Sequence, residues 1–287
     1  MDRHEIQIYF RKYRRLFWRG KQYVKVISAV IIAIAVNLVF PKAAFQEFNP
    51  TKKSIFTLVC ACLWIGLFNS IQTICQERPI IQKEHESGTK FSTFLFSHML
   101  AELLVCLAET LVVTAVTYGM NYERILNGKI FVPAYILEPL LSIFLLIYAS
   151  DMLGLMVSAF SRTPEVAMML MPFALIVQLI FADYIFTLHG AMKMISNITV
   201  TKWGMLALGN SFNIELLDNP MEGLYNDLVE YNASTDAAML NSYRVNAADY
   251  NDRFFHLPSV WLTLVLLTGI FAVLTYFFIT LIKNDKR

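Results

Sequence analysis

Apolar residues gather into six long runs, at roughly 26–41, 55–75, 95–119, 131–160, 166–187 and 258–282, with polar and charged residues between them. An α-helix of about 20 residues crosses the hydrocarbon core of a bilayer. A transmembrane barrel would instead show short alternating segments, which this chain lacks. The pattern therefore predicts an all-α integral membrane protein with six transmembrane helices. The fourth run is long enough to tilt or to open with a broken turn. The first follows a basic stretch and carries no small-residue cleavage site, so it reads as a retained span and not a signal peptide.

The polar intervals differ in character. Residues 1–25 alternate cations such as Arg14, Arg15 and Lys25 with aromatics such as Tyr13, Phe17 and Trp18. That mixture suits an amphipathic helix lying in the headgroup region, with its cations toward anionic membrane lipids. A basic tail that only sets topology is the plainer reading. Residues 188–257 are rich in Asn, Asp and Tyr and contain no cysteine, which predicts a small, partly helical cap.

Composition agrees with a membrane location. Hydrophobic residues make up 56% and charged residues 16%, with mean hydropathy +0.51, whereas soluble domains sit nearer a quarter charged. A net charge of +2 gives no case for nucleic-acid binding. Cys60, Cys62, Cys75 and Cys106 lie in or beside apolar runs and read as packing residues, without metal spacing. The five histidines are dispersed, so no metal or catalytic cluster emerges.

The distribution of cations sets orientation. With a cytoplasmic N-terminus, fifteen of the 24 Lys and Arg fall inside, and none falls within a run. Most of the remainder lie in long external segments, where charge counts little. Both termini are then cytoplasmic, as is 76–92, while 188–257 is external.

The charged interval Gln76–Lys90 has internal order. Pro79 fits the first turn of a helix, where a missing N–H is harmless. Glu77 suits the positive helix end. Gly88 stands where a left-handed cap would close it. The segment Ile80 to Glu86 makes about two turns, roughly 11 Å. Such an element is either a docking knob or an ordinary solvated loop.

Ionisable residues within the runs are costly in hydrocarbon. Glu102 and Glu109 are seven apart on one helix face, and His98 and Glu102 are spaced to pair. Glu109 reads either as a substrate or proton site or as a carboxyl paired inside the bundle. Asp151 and Glu138 sit in the fourth run.

The order "SIQTICQERPIIQKEHESGTKFSTFLFSHMLAEL" (Ser70–Leu103) resembles the permeases of type-2 ABC exporters, especially those like the G subfamily. So do "DMLGLMVSAFSRTPEVAMMLMPF" (Asp151–Phe173) and "ITVTKWGMLALG" (Ile198–Gly209), the latter like an external re-entrant segment. The likeness is clearest over 55–210. It implies a cytoplasmic coupling helix within 76–90, with Glu77, Arg78, Pro79, Lys83, Glu84 and Gly88 engaging an ATPase. It implies a pathway between spans 2 and 5 of two subunits, with Phe68, Asn69 and Phe173 as liners and Glu109 as a further candidate. Asp183 and Trp203 fall at the implied external gate. The chain departs from the family at Phe181–Tyr184, where small residues are usual, and in a cap at 210–257 without counterpart.

The resemblance implies a transport subunit, not an enzyme, in the plasma membrane. The given sequence contains no Gly-x-x-x-x-Gly-Lys-Ser/Thr loop. ATP and Mg would be held by a separate ATPase, in two copies, and a second permease, identical or not, would complete the pathway. The resulting plan is an interfacial helix (1–25), spans 1–5 with the coupling helix (26–187), an extracytoplasmic re-entrant and cap region (188–257), and span 6 with a cytoplasmic tail (258–287). The cargo would be a peptide, lipid or hydrophobic drug-like molecule. Two other classes stay open: an ion- or proton-coupled secondary transporter using Glu109 and Asp151, and a membrane enzyme or sensor working through the cap.

Overall fold

The computed structural model describes residues 23–88, 90–127, 136–182, 188, 190–214, 217 and 253–281. Among these, the regular structure is helical: α1 (Tyr23–Val39), α2 (Phe48–Ser70), α3 (Thr73–Glu86), α4 (Phe91–Asn127), α5 (Leu137–Phe160), α6 (Pro164–Ile180), α7 (Ala191–Ser196), α8 (Val200–Ser211) and α9 (Arg253–Leu281). Arg14, Arg15 and Trp18 of the expected interfacial helix lie outside the described residues, as do Asp183 and most of the cap.

Four stretches are long and apolar enough to cross a membrane: Phe48–Glu86, Phe91–Leu126, Leu137–Phe160 and Leu257–Leu281. They coincide with the second, third, fourth and sixth apolar runs. The first and fifth runs form apolar helices of 17 residues each, α1 and α6, about 26 Å long. The fifth helix is shorter than the run 166–187 suggested, since it stops at Ile180.

Local sequence explains several boundaries. Thr163 has extended backbone and accepts a hydrogen bond from the Val166 N–H at 3.4 Å, while Pro164 occupies the first helical position and Glu165 the first turn of α6. Cap, proline and acid together satisfy and complement the positive helix end. α4 bends at Asn121, whose φ of −116° and ψ of 17° are not helical.

α5 is the central helix, packed on α2, α4, α8 and α9. Its approach to α2 is unusually close. A Cβ at Gly66 would fall 2.4 Å from the Ile147 carbonyl oxygen and 2.8 Å from the Asp151 nitrogen. One at Gly154 would meet Ser70 Oγ at 2.4 Å and the Leu67 carbonyl at 3.0 Å. Small residues at such crossings let backbones touch, which matters most where lipid offers no hydrophobic drive for helices to associate.

α1 is tied to α4 by polar clasps near both ends. Toward its C-terminus, Asn37 Nδ2 donates to Thr117 Oγ1 at 3.2 Å, and Asn121 Nδ2 donates to Asn37 Oδ1 at 2.8 Å. Toward its N-terminus, Lys25 Nζ donates to Glu102 Oε1 at 2.9 Å. The expectation that Lys25 stays in the polar flank fails here. Lys25 sits in the first turn of α1 and enters the bundle, because Glu102 is buried at 3% exposure and has its cation partner there.

At the end of the bundle remote from α3, α8 fills the space between α2, α5 and α9. Gly204 lets it settle on Leu146 and Val59. Gln178 of α6 caps it, its Oε1 accepting from the Val200 N–H at 2.9 Å.

A methyl group at Gly66 must displace backbone, whereas Gly269 of α9 has nothing within 4 Å of a built Cβ. Gly66→Ala should lower stability by about 1–3 kcal/mol through overpacking. Gly269→Ala should leave it unchanged or raise it by under ~1 kcal/mol. Thermal unfolding of the two purified variants in the same lipid nanodiscs checks the contrast.

Candidate functional site

The apolar run expected to continue through residue 75 is interrupted. α2 ends at Ser70, Ile71 and Gln72 form a turn, and α3 begins at Thr73. The new helix start exposes first-turn N–H groups that have no acceptor within the helix. Ser158 of α5 supplies one: its Oγ accepts from the Ile74 N–H at 3.1 Å and the Cys75 N–H at 3.2 Å. Cys75 Sγ donates to the Ser158 carbonyl at 3.0 Å.

This start corrects two expectations. Pro79 is not in a first turn but inside the 14-residue α3. Its missing N–H removes the bond to the Cys75 carbonyl one turn back. Glu77 likewise lies beyond the first turn, away from the positive helix end. The reason is that Ser158, and not Pro79, sets where the helix begins. Gly88 does what its position predicts. Its φ is 97°, its N–H donates to the His85 carbonyl at 2.9 Å, and Ser87 N–H returns to the Lys83 carbonyl at 3.1 Å. A β-carbon at that φ would be strained.

α3 has two faces. Ile74, Cys75 and Ile81 are buried. Gln76, Pro79, Ile80, Lys83 and Glu86 are exposed, three and four residues apart, forming one stripe. Ile80 is 47% exposed, an apolar side chain amid polar ones. His85 stacks on Phe91 with centroids 4.0 Å apart, fixing the far end of α3 to α4. The six residues assigned to coupling therefore divide. Pro79 and Lys83 lie on the open face, Glu77 and Glu84 are half-buried, and Gly88 closes the helix. Arg78 turns inward, its Nη2 donating to the Ala159 carbonyl at 3.2 Å and the Ser161 carbonyl at 3.1 Å.

The candidate pathway residues also separate. Phe68 and Phe173 are exposed, at 47% and 67%, and Phe68 stacks on Trp64. Asn69 and Glu109 are buried and face each other, Asn69 Nδ2 donating to Glu109 Oε2 at 2.7 Å. Only Oε2 of Glu109 is engaged in this way; Oε1 is buried without a hydrogen-bond partner among the described residues. His98 Nε2 lies 3.7 Å from Glu102 Oε1, close to the spacing that predicted the pair. Asp151 is fully buried within α5. Trp203 donates from Nε1 to the Asn197 carbonyl at 2.8 Å, with Lys202 Nζ 5.8 Å from its ring centre.

Sequence reasoning missed Ser70, Ser158 and the Lys25–Glu102 pair. Ser70 Oγ donates to the Asp151 carbonyl at 2.6 Å. The available signal was hydroxyls within apolar stretches, which in lipid must find partners, but several such residues lie on each helix and nothing local singles out Ser70 or Ser158. Cys62, Cys75 and Cys106 pack in the core.

A helical bundle with apolar outer faces and four stretches long and apolar enough to cross a bilayer defines an integral membrane protein. The chain matches the sequence model of the ABC-2 type transporter family over residues 4–210, and it belongs to that family as a membrane permease. It is also similar to the ABC transporter ATP-binding/permease protein Rv1747 of Mycobacterium tuberculosis, at 22% identity over 189 residues. That alignment covers 65% of this chain and 22% of the relative, so the chain spans about a fifth of that protein's length.

The Lys25–Glu102 tie joins elements 77 residues apart. Lys25→Met should strand a buried carboxylate and lower stability by about 1–3 kcal/mol. Adding Glu102→Gln should recover part of that loss. A double-mutant cycle from thermal unfolding in nanodiscs checks the coupling.

Proposed function

We propose that this chain is the membrane subunit of an ATP-driven exporter, forms half of the translocation pathway and couples to a separate ATPase through α3. The reading rests on family membership and on one observation: α3 is a capped helix that offers a single exposed stripe with a central isoleucine. Interfaces draw their strength from an apolar anchor surrounded by polar residues, and Ile80 amid Gln76, Lys83 and Glu86 has that form.

In this reading all six apolar helices cross the plasma membrane, with both termini and α3 cytoplasmic and α7, α8 and the cap external. Two ATPase copies, holding ATP and Mg, would serve two permeases, alike or different. The relative's name joins ATP binding and permease in one protein, and here the two tasks would be divided between chains. Phe68 and Phe173 project from α2 and α6, which suits them to line a path between two subunits. Exposed aromatic and methionine side chains there fit a peptide, lipid or other amphipathic cargo. Asp183 and Trp203 would lie at the exit.

Ile80→Asp should weaken ATPase association by at least about tenfold while leaving the fold intact, because Ile80 is not a core residue. Quantitative co-purification and ATP-dependent transport in proteoliposomes measure this. Unchanged association and transport, or transport of cargo by the permease alone without nucleotide, would defeat the proposal.

A further inference from the structure

The turn at Ile71–Gln72 makes α3 a separate helix from α2, yet α3 is fixed in place by contacts from elsewhere. The contacts of its N-terminal half converge on the C-terminal end of α5, while His85 stacks on Phe91 of α4 at the other end. The last carbonyls of a helix lack intrahelical donors, as the first N–H groups lack acceptors. Here each end completes the other. Arg78 of α3 donates to the carbonyls of Ala159 and Ser161, and Ser158 of α5 accepts from the N–H groups of Ile74 and Cys75. The negative end of α5 thus meets both a guanidinium and the positive end of α3, each favourable to it.

The joint gains its consequence from the helix that comes after α5. Ser161 is the residue after α5, and α6 starts at Pro164 under its Thr163 cap. Arg78 therefore holds the link between α5 and α6. At the opposite end of α6, Gln178 binds the start of α8. Between those two fixed points α6 presents Met169, Phe173, Ile176 and Ile180 outward, on one face. That face lies opposite the buried Ala167, Met171 and Leu175, and both ends of the helix are tied by hydrogen bonds.

We infer that Arg78, with Ser158, is a positioning latch that makes the α5–α6 link move with α3, so that a push on α3 reaches the exposed face of α6. This inference rests on the coupling role proposed for α3. It adds that the stroke leaves α3 through α5 and α6, and not along the α2 backbone alone.

The test uses the full chain assembled with its ATPase in nanodiscs, with hydrogen-exchange mass spectrometry and transport per ATP hydrolysed as readouts. In the wild type, nucleotide should change exchange in two segments together, 73–82 and 159–167. In Arg78→Gln the ATPase should still bind and hydrolyse ATP, and 73–82 should still respond. The response at 159–167 should vanish, and transport per ATP should fall about tenfold, the scale of a lost charge-assisted hydrogen bond. Arg78→Lys, which keeps the charge and one donor, should restore part of both. Ser158→Ala offers a second, milder break if Arg78→Gln does not fold. A coupled response of both segments in Arg78→Gln, or undiminished transport per ATP, overturns the latch. A wild type in which nucleotide alters neither segment overturns the coupling role itself, and is distinct from a wild type in which only 73–82 responds, which overturns the latch alone.

Discussion

At Gly66 a methyl group would overlap the backbone of α5, and at Gly154 the hydroxyl of Ser70 occupies the place a side chain would take. Without side chains between them, α2 and α5 run in backbone contact over this stretch. That approach brings Ser70 within 2.6 Å of the Asp151 carbonyl and Ser158 within 3.2 Å of two N–H groups at the start of α3. A larger residue at either glycine would separate the helices and leave these hydroxyls short of their partners. In a bilayer such groups cannot turn to water instead. Close packing and polar satisfaction are thus one constraint, and the placement of α3 depends on it.

The same logic governs the ionisable residues. Lys25, His98 and Glu102 meet between α1 and α4, and Asn69 and Glu109 meet between α2 and α4. Each pair joins different helices or successive turns of one, so removing one member exposes another to an apolar interior. α1 in particular packs chiefly against α4. It has an outward stripe of Ile27, Ile31, Ile34 and Leu38, which in a membrane faces lipid and gives little orientation. Its position relative to α4 is therefore set by the polar clasps, Lys25 at one end and Asn37 at the other.

Much of the helical framework was legible because membrane solvation writes itself as length: among the described residues each apolar run is helical, the second across two helices. Local chemistry was legible too. The Thr163–Pro164–Glu165 start of α6, the left-handed cap at Gly88 and the i,i+4 spacing of His98 and Glu102 need only neighbouring residues. What the sequence hid depends on distant partners. Nothing near Ile71 marks the end of α2, since the residues on both sides are helix-compatible. The break belongs to Ser158, more than 80 residues away. Arg78 looked like a surface charge because its neighbours are charged, yet its acceptors are the end carbonyls of another helix. Lys25 looked like part of a basic flank for the same reason.

Distant partners also change the mechanical character of α3. Taken from the sequence, the charged interval is a short helical knob or a solvated loop joined only to the spans on either side, and any force on it would pass to those spans through the chain. In the structure its ends are held differently. His85 on Phe91 keeps the C-terminal end with α4, while Ser158 and Arg78 bind the N-terminal end to α5. The exposed stripe from Gln76 to Glu86 lies between these two attachments. A load on Ile80 therefore meets α4 and α5 together, and does not depend on the turn at Ile71–Gln72 to carry it. α5 is the central helix and continues through a short link into α6, whose outward face includes Phe173. If α3 is the coupling element proposed above, a chain of hydrogen-bonded helix ends connects it to a surface on α6 that includes Phe173.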